Sequence, residues 1–492
     1  MSETHASVAP LSATIVFSVA ILLFLSVGLW AGRQKTETTS DYLLAGRNVP
    51  PALAALSSIA TGNSGFMFIG LIGFTYETGL AAMWLSIGYL LGEVMAWATI
   101  HRQLRAHSEE LNVETVAEYL GHDQQQGRSI RAAAALLTLI FLSIYAAAQF
   151  QAGGKALNVL FGWDISLGVI FGAIVAALYS ITGGIRASIW VGSVQSVLML
   201  SSVVLLAVVA VMVIGGAQPL WQQLQAIDPS LTHWYPSTAR FGFLPFAIAW
   251  TVSGFGVIGQ PHIMVRMMTI DSAEQVSRAR NLYLCLTALL GFGATVIGLA
   301  ARVLLPTLGQ LDAELALPEL TLSLLPGIGV GFILVGLFSA TISTADAQVL
   351  SCSAALTQDL WPKAGASSAR VRWGTVAMLL LVLAIALVSP DDVFALVTAA
   401  WAALASGLGP VMALRALQRP IQPAVAIAMM LTGVATVLVW RLGLHLSDDV
   451  YDVLPGMLVS VLTYLLLQPW FTNPLNTTPL VSEGDRLVDE AP

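Results

Sequence analysis

The chain has 492 residues, 57% of them hydrophobic and only 10% charged, with a formal net charge of −7. Soluble domains carry about 25% charged residues, so most of this surface cannot face water, and no length is left over for a separate soluble domain. No nucleic-acid partner is expected; the lipid bilayer is.

Apolar runs of about 20 residues are long enough to cross a hydrocarbon core. In chain order they occupy 11–30, 50–76, 80–98, 132–152, 165–181, 191–214, 243–262, 282–304, 330–356, 375–388, 393–414, 424–442 and 453–467, thirteen in all. The chain is therefore read as an all-α integral membrane protein. The first run follows ten residues without Lys or Arg, so it is read as a retained span rather than a cleaved signal. The second run is interrupted: 55–70 reads ALSSIATGNSGFMFIG, placing Ser57, Ser58, Thr61, Gly62, Asn63, Ser64 and Gly65 at mid-membrane depth. The inside loop 102–131, with Leu111, Val113, Val116 and Leu120 among Glu109, Glu114 and Glu118, is expected to hold a short interfacial helix. The seventh run is interrupted too: 250–262 reads WTVSGFGVIGQPH. Cys285 and Cys352 both fall inside spans and read as small core residues rather than a disulfide or metal pair. From Thr472 the tail is polar and acidic, and is expected to be poorly ordered.

Thirteen spans put the termini on opposite sides. One set of alternate loops then holds seventeen of the basic residues, Arg266 among them, and the other holds four: Lys155, Arg240, Arg302 and Arg441. Positive loops stay in the cytoplasm, so the N-terminus is expected outside and the C-terminus inside.

Glycine and proline weaken a helix, and unpaired backbone at membrane depth is tolerated only where it is buried in protein or lines a cavity. Small residues also serve close helix packing. Two breaks at matching positions of two halves point to a transporter's central site. Here they fall in the second and seventh spans. That spacing divides the chain into an extra N-terminal helix and loop (1–40), two five-helix inverted repeats (41–215 and 216–418), two C-terminal helices (419–470) and a polar tail (471–492).

At four places the chain resembles the sodium/solute symporter family, most of all its sodium/proline branch: DYLLAGR at 41–47, GQPHI at 259–263 followed by Arg266, Ser343–Thr344 ahead of CSAALTQDLW at 352–361, and Gly183–Gly184 with Trp190 and Gln195. The resemblance implies the leucine-transporter type of fold and Na⁺-driven uptake of a small solute by alternating access, with Na⁺ as the co-transported ion and no organic cofactor. It implies backbone carbonyls of Ala60, Asn63 and Ala340 and hydroxyls of Ser343 and Thr344 as sodium ligands. Na⁺ is a hard cation that favours several oxygens together. A Ser-Thr pair taken alone more often bonds back to its own helix.

The chain also departs from the family, whose proline symporters carry acids where this sequence has Gly62 and Gly192. Asp346 stands in the ninth span instead, three residues after Ser343 and on the same helical face. Intramembrane carboxylates are costly and usually functional. Asp346 is read either as a relocated cation ligand or as a neutral group bonded to a neighbouring helix. Glu93 is left unassigned.

By resemblance the solute lies between the breaks. Ser64 and Gly65 would meet its carboxylate at a half-helix N-terminus, Tyr145 matches a substrate-site tyrosine, and Phe255 would supply an apolar wall. The resemblance makes proline or a related amino acid the leading solute; two aromatic positions of the proline branch fall on Ser253 and Val257, which weakens that expectation and leaves a larger or differently shaped solute as the alternative. Gln260 and His262 belong to the motif, with packing as the alternative role. A sensor or channel on the same fold is a second reading. A membrane enzyme is disfavoured, since there is no HExxH and no CxxC. Oligomeric state is left open.

Overall fold

The computed structural model describes residues 10–34, 38–122, 127–236, 240–308, 312–362, 367–389 and 392–472. The tail beyond 472, Lys35 and Lys363 lie outside the described residues. The principal helices are α1 (Leu11–Arg33), α2 (Pro51–Gly62), α3 (Leu71–Thr78), α4 (Met83–Thr99), α5 (Gly127–Phe161), α6 (Ile165–Ile214) and α7 (Phe243–Phe255). They continue with α8 (Pro261–Thr269), α9 (Val276–Leu304), α10 (Gly327–Ala354), α11 (Ser368–Val388), α12 (Val393–Ala416), α13 (Pro423–Leu438) and α14 (Val453–Thr472).

Among the described residues, length and composition alone pick out ten helical stretches able to cross a membrane, and eleven when α7 and α8 are joined as one bent span. The sequence expectation of thirteen differs from this number by counting Pro51–Thr78 and Met83–Thr99 as separate spans and by dividing α6 at Gly184. The division of α6 is physical. Gly184 has φ 56° and ψ −147°, a region open essentially to glycine. Tyr179 Cβ and Val191 Cγ2 come within 2.5 Å and 3.3 Å of the one point where a Gly28 Cβ would sit, whereas twelve residues of straight helix would separate them by about 18 Å. The chain therefore doubles back at Gly184.

Both interrupted spans break where expected. α2 starts at Pro51, a favoured first-turn position, and stops at Asn63 (φ −100°, ψ 67°). A π-helical turn, Phe66–Gly70, resumes the chain into α3. α7 and α8 are bent by 59°, with Gln260 extended ahead of Pro261. α10 is the central post, with 83% of its most apolar stretch buried, against 28% for α1 and α14 at the periphery. α4 and α7 touch backbone to backbone: a Cβ on Gly92 would stand 2.0 Å from the Thr251 carbonyl oxygen, and one on Gly254 would stand 1.9 Å from that of Tyr89. Small residues set such close approaches between membrane helices.

Three sequence expectations change. Arg266, counted as a loop charge, is 1% exposed inside α8. Of the two cysteines, Cys352 is buried but Cys285 is exposed on the outside of α9. The loop 102–131 does contain a short helix, Val116–Gly121, whose Thr115 cap accepts from the Glu118 N–H at 2.9 Å. However, that helix is buried and tied to Asp359 through the Thr115 hydroxyl at 2.7 Å, rather than lying along the membrane surface.

Candidate functional site

The end of α2 leaves carbonyls without partners inside the helix, and two hydroxyls of α10 meet them. Ser343 Oγ lies 2.8 Å from the Ala60 oxygen and 3.2 Å from that of Ala340. Thr344 Oγ1 reaches the oxygens of Ala340 at 3.0 Å, Thr61 at 3.1 Å and Ala60 at 3.3 Å. The pair thus bonds back within α10 and also across to α2. The Thr61 carbonyl joins the cluster, although the expected sodium ligands did not include it. Asn63 closes the helix end differently: its amide nitrogens bond to the Ile59 oxygen and to Thr287, and its side-chain oxygen is buried without a partner. Neutral carbonyl and hydroxyl oxygens at one spot are a donor set for a hard cation of low charge. Among the described residues no group of three or more His, Cys, Asp or Glu forms a metal site.

Asp346 is placed one turn further along α10 and is 1% exposed. Ser180 of α6 donates to one carboxylate oxygen, and the other has no partner. The Arg266 guanidinium lies within its electrostatic range. That guanidinium is held by Ser57 Oγ at 2.8 Å, Ser188 Oγ at 2.9 Å and the His262 carbonyl at 2.9 Å. Ser57 is one turn before Ala60 on α2, so the Asp346 cluster and the hydroxyl–carbonyl cluster share both of their helices.

Gly62 and Gly192, where the resemblance leads one to expect acids, each face the hydrogen-bond partner of a buried charged side chain. A Cβ on Gly62 would lie 3.1 Å from the Tyr283 hydroxyl, which donates to Glu93 at 2.8 Å. A Cβ on Gly192 would lie 3.3 Å from Ser57 Oγ, the partner of Arg266. Glu93 is 1% exposed; it does not reach the membrane surface.

A cavity lies beside the α2 break, lined by Asn63, Phe66, Tyr89, Tyr145, Trp250, Thr287 and Trp401, with Tyr451 from beyond α13. Tyr145 is thus in place, its hydroxyl 3.2 Å from Ser64 Oγ. The Gly65 N–H offered to a carboxylate is occupied: it donates to Gln149 Oε1 at 2.8 Å. Ser253, Phe255, Val257 and Gln260 are not among the cavity's lining residues. Trp401 Nε1 donates to the Ser253 carbonyl at 3.1 Å, and Gln260 Nε2 donates to the Trp401 carbonyl at 3.1 Å, so this stretch positions Trp401 instead. His262 packs edge-on against Tyr145 at 5.8 Å between ring centroids. Trp401 is a lone large residue in a run of small ones, AAWAALASG, which is a signal the sequence carried. Tyr451, in a short turn, had none.

Above the cavity, on the side read as outside, Phe394 at the start of α12 is stacked between Phe66 (5.4 Å) and Phe74 (5.3 Å). Glu314 holds that helix end: it accepts from the Phe394 N–H at 2.8 Å and from Lys155 Nζ at 2.7 Å, and Asp312 shares the lysine at 3.0 Å. Burial pushes the Glu314 carboxyl above the usual carboxylate range, against the opposing pull of Lys155 and the Phe394 N–H.

The profile of the sodium:solute symporter family matches residues 42–433. Over 94% of its length the chain is 30% identical to the high-affinity proline transporter PutP of Bacillus subtilis, covering 98% of that protein. It is 28% identical to the osmoregulated proline transporter OpuE of the same organism, over 93% of this chain and 95% of that one. It is also 28% identical to a sodium/proline symporter of Staphylococcus aureus, over 92% and 91%. Among solved structures, the substrate-bound outward-open Na⁺-coupled sialic acid symporter superposes with a TM-score of 0.79 at 18% identity, over 94% of this chain and 98% of that one. The nucleobase-cation-symport-1 transporter Mhp1 superposes with a TM-score of 0.56 at 15% identity, over 89% and 96%. The fold is the leucine-transporter type.

Proposed function

The chain belongs to the sodium:solute symporter family, a multi-pass membrane protein and not an enzyme, with Na⁺ as its co-transported ion; from that premise we propose that it carries proline or a related small zwitterion across the plasma membrane. The observation that carries the coupling half of this reading is the meeting of Ser343 and Thr344 with the Ala60 and Ala340 carbonyls. In our reading Na⁺ sits among these oxygens. It bridges the first broken helix to α10, so that ion binding favours the arrangement in which the two are together. Asn63, Ser64 and Tyr145 mark the solute's side of the same break, and Asp346 contributes negative charge to the ion's surroundings. Residues 41–215 and 216–418 act as the two repeats that move against each other, with the N-terminus outside.

Proline is the first solute to test, on the strength of the relatives' names. A differently shaped solute, a betaine or another amino acid, is the second reading. It is favoured by Ser253 and Val257, where the resemblance to the proline branch leads one to expect aromatic residues.

The test is uptake into proteoliposomes under an imposed Na⁺ gradient, screening proline, other amino acids, betaines and small carboxylates. Accumulation that collapses when Na⁺ is equal on both sides supports the reading. Uptake indifferent to Na⁺ and driven by a proton gradient overturns the coupling ion.

A further inference from the structure

One wall of the cavity comes from outside the ten helices that form the working core. Tyr451 lies in the turn between α13 and α14, yet it is only 4% exposed and lines the cavity. Its ring is stacked on Trp250 of α7, with centroids 4.6 Å apart and planes 24° from parallel. Its hydroxyl donates to the Thr398 carbonyl of α12 at 2.8 Å.

The turn that carries Tyr451 is fixed at several points. Arg441 pairs with the fully buried Asp452 at 2.5 Å, and it donates to the Ala395 carbonyl at 3.1 Å and to Thr398 Oγ1 at 3.2 Å. Trp440 Nε1 donates to the Val450 carbonyl at 2.9 Å. A guanidinium with a carboxylate and several acceptors forms a directional anchor. Such an anchor is more than a passive connection between two peripheral helices requires, and its effect is to hold one aromatic ring against the cavity.

The cavity lining is of two kinds. Tyr451, Trp250 and Trp401 supply aromatic groups, while Asn63 Oδ1, Ser86 Oγ and the Tyr89 hydroxyl are buried with no hydrogen-bond partner. Buried polar atoms nearly always have partners, so these oxygens are available to the polar end of a solute. None of the lining residues is Asp, Glu, Lys or Arg, which fits a solute of zero net charge. Aromatic faces attract apolar rings and alkylated ammonium groups alike.

We infer that Tyr451 is a specificity-determining residue of the solute site, presenting its ring to the apolar or N-alkylated body of a net-neutral zwitterion whose polar end faces Asn63 and Ser86. The inference rests on the transport reading above and deepens it. It also accounts for the lack of an aromatic side chain at Ser253, whose carbonyl accepts from the Trp401 indole: the aromatic surface comes from Trp250, Trp401 and the Tyr451 turn.

The experiment compares KM for Na⁺-driven uptake of proline, N,N-dimethylproline and alanine by the full chain in proteoliposomes, unmodified and with Tyr451→Ala, Tyr451→Leu and Tyr451→Phe. Removing the ring is expected to raise KM about tenfold for the two ring-bearing solutes and less than about threefold for alanine. The Na⁺ concentration for half-maximal uptake should not move. Tyr451→Leu, which keeps bulk in the site, should behave like Tyr451→Ala, while Tyr451→Phe restores the unmodified ratio of KM values. An equal loss for all three solutes, or a Tyr451→Phe profile matching Tyr451→Ala, overturns the inference and leaves the transport reading standing. An unmodified protein that accumulates no solute of the wider panel under a Na⁺ gradient overturns both.

Discussion

The Ser343 hydroxyl stands 2.8 Å from the carbonyl oxygen of Ala60, joining the middle of the most buried helix to the last turn of a broken one. Losing a hydroxyl from such a cluster removes an oxygen that no neighbour replaces. Ser343→Ala and Thr344→Ala are each expected to raise the Na⁺ concentration for half-maximal uptake by about tenfold or more, since a bond to a charged group is worth about 1.5–3 kcal/mol. Solute KM at saturating Na⁺ should change far less. Titrating uptake against Na⁺ in each variant is the check, and unchanged Na⁺ dependence in both would remove these residues from the ion site.

Asp346 provides a second, separable prediction. Asp346→Asn keeps the shape and the contact with Ser180 but removes the charge, so it should weaken apparent Na⁺ affinity while the protein remains folded. Asp346→Ala removes the charge as well, and in addition deletes the acceptor of the Ser180 hydroxyl and leaves a cavity in the most buried helix. Deleting buried side-chain atoms costs their contacts plus the cavity left behind, so this variant should melt at a lower temperature in detergent than Asp346→Asn. Equal Na⁺ affinity across the unmodified protein and both variants would place Asp346 in structure alone.

Glu314, which holds the start of α12, is expected to make that contact sensitive to pH. Burial raises its pKa, so its protonated form is favoured in the folded protein. The stability that this contributes is present below the ordinary carboxylate pKa and is lost as pH rises through the folded value. Acidification therefore does not unfold this region on Glu314's account. It discharges Glu314 at milder acidity than an exposed acid, loosening the bond from Lys155. Glu314→Gln should reproduce at pH 7 part of the change in uptake that the unmodified protein shows between pH 7 and pH 5, and should flatten that profile. Identical pH profiles in the two proteins would rule out the contact as a contributor.

The glycine contact between α4 and α7 should be intolerant of bulk. With a Cβ on Gly254 only 1.9 Å from the Tyr89 oxygen, Gly254→Val forces backbone apart rather than shifting a flexible side chain. Overpacking costs about 1–3 kcal/mol, occasionally more. Gly254→Val should lower the yield of monodisperse protein and its melting temperature well beyond Gly443→Ala, where the nearest atom is 3.9 Å away.

Much of this arrangement is legible in the sequence because membrane burial leaves strong marks. Asn63 and Pro261 sit at the two breaks because backbone chemistry shows in residue type. Ser343 and Thr344 stand out as adjacent hydroxyls in an apolar span. The misreadings share a cause: they depend on contacts distant in the chain. Arg266 looks like a loop charge until Ser57 and Ser188 converge on it from two other helices. The Gly65 N–H looks free until Gln149, 84 residues away, caps it. Tyr451 meets Trp250 across two hundred residues, and nothing near either position announces the pairing.

The turn at Gly184 has a further consequence. A straight helix of the 50 residues of α6 would run about 75 Å, against a hydrocarbon layer of about 30 Å. Doubling back makes it two crossings in place of one, and so decides whether the number of crossings before any later residue is odd or even. The direction in which each helix after 184 runs, α10 with Ser343 and Thr344 included, follows from a backbone conformation that essentially only glycine adopts. A Cβ there would stand 2.5 Å from the Tyr42 oxygen, so topology itself hangs on the absence of a single side chain.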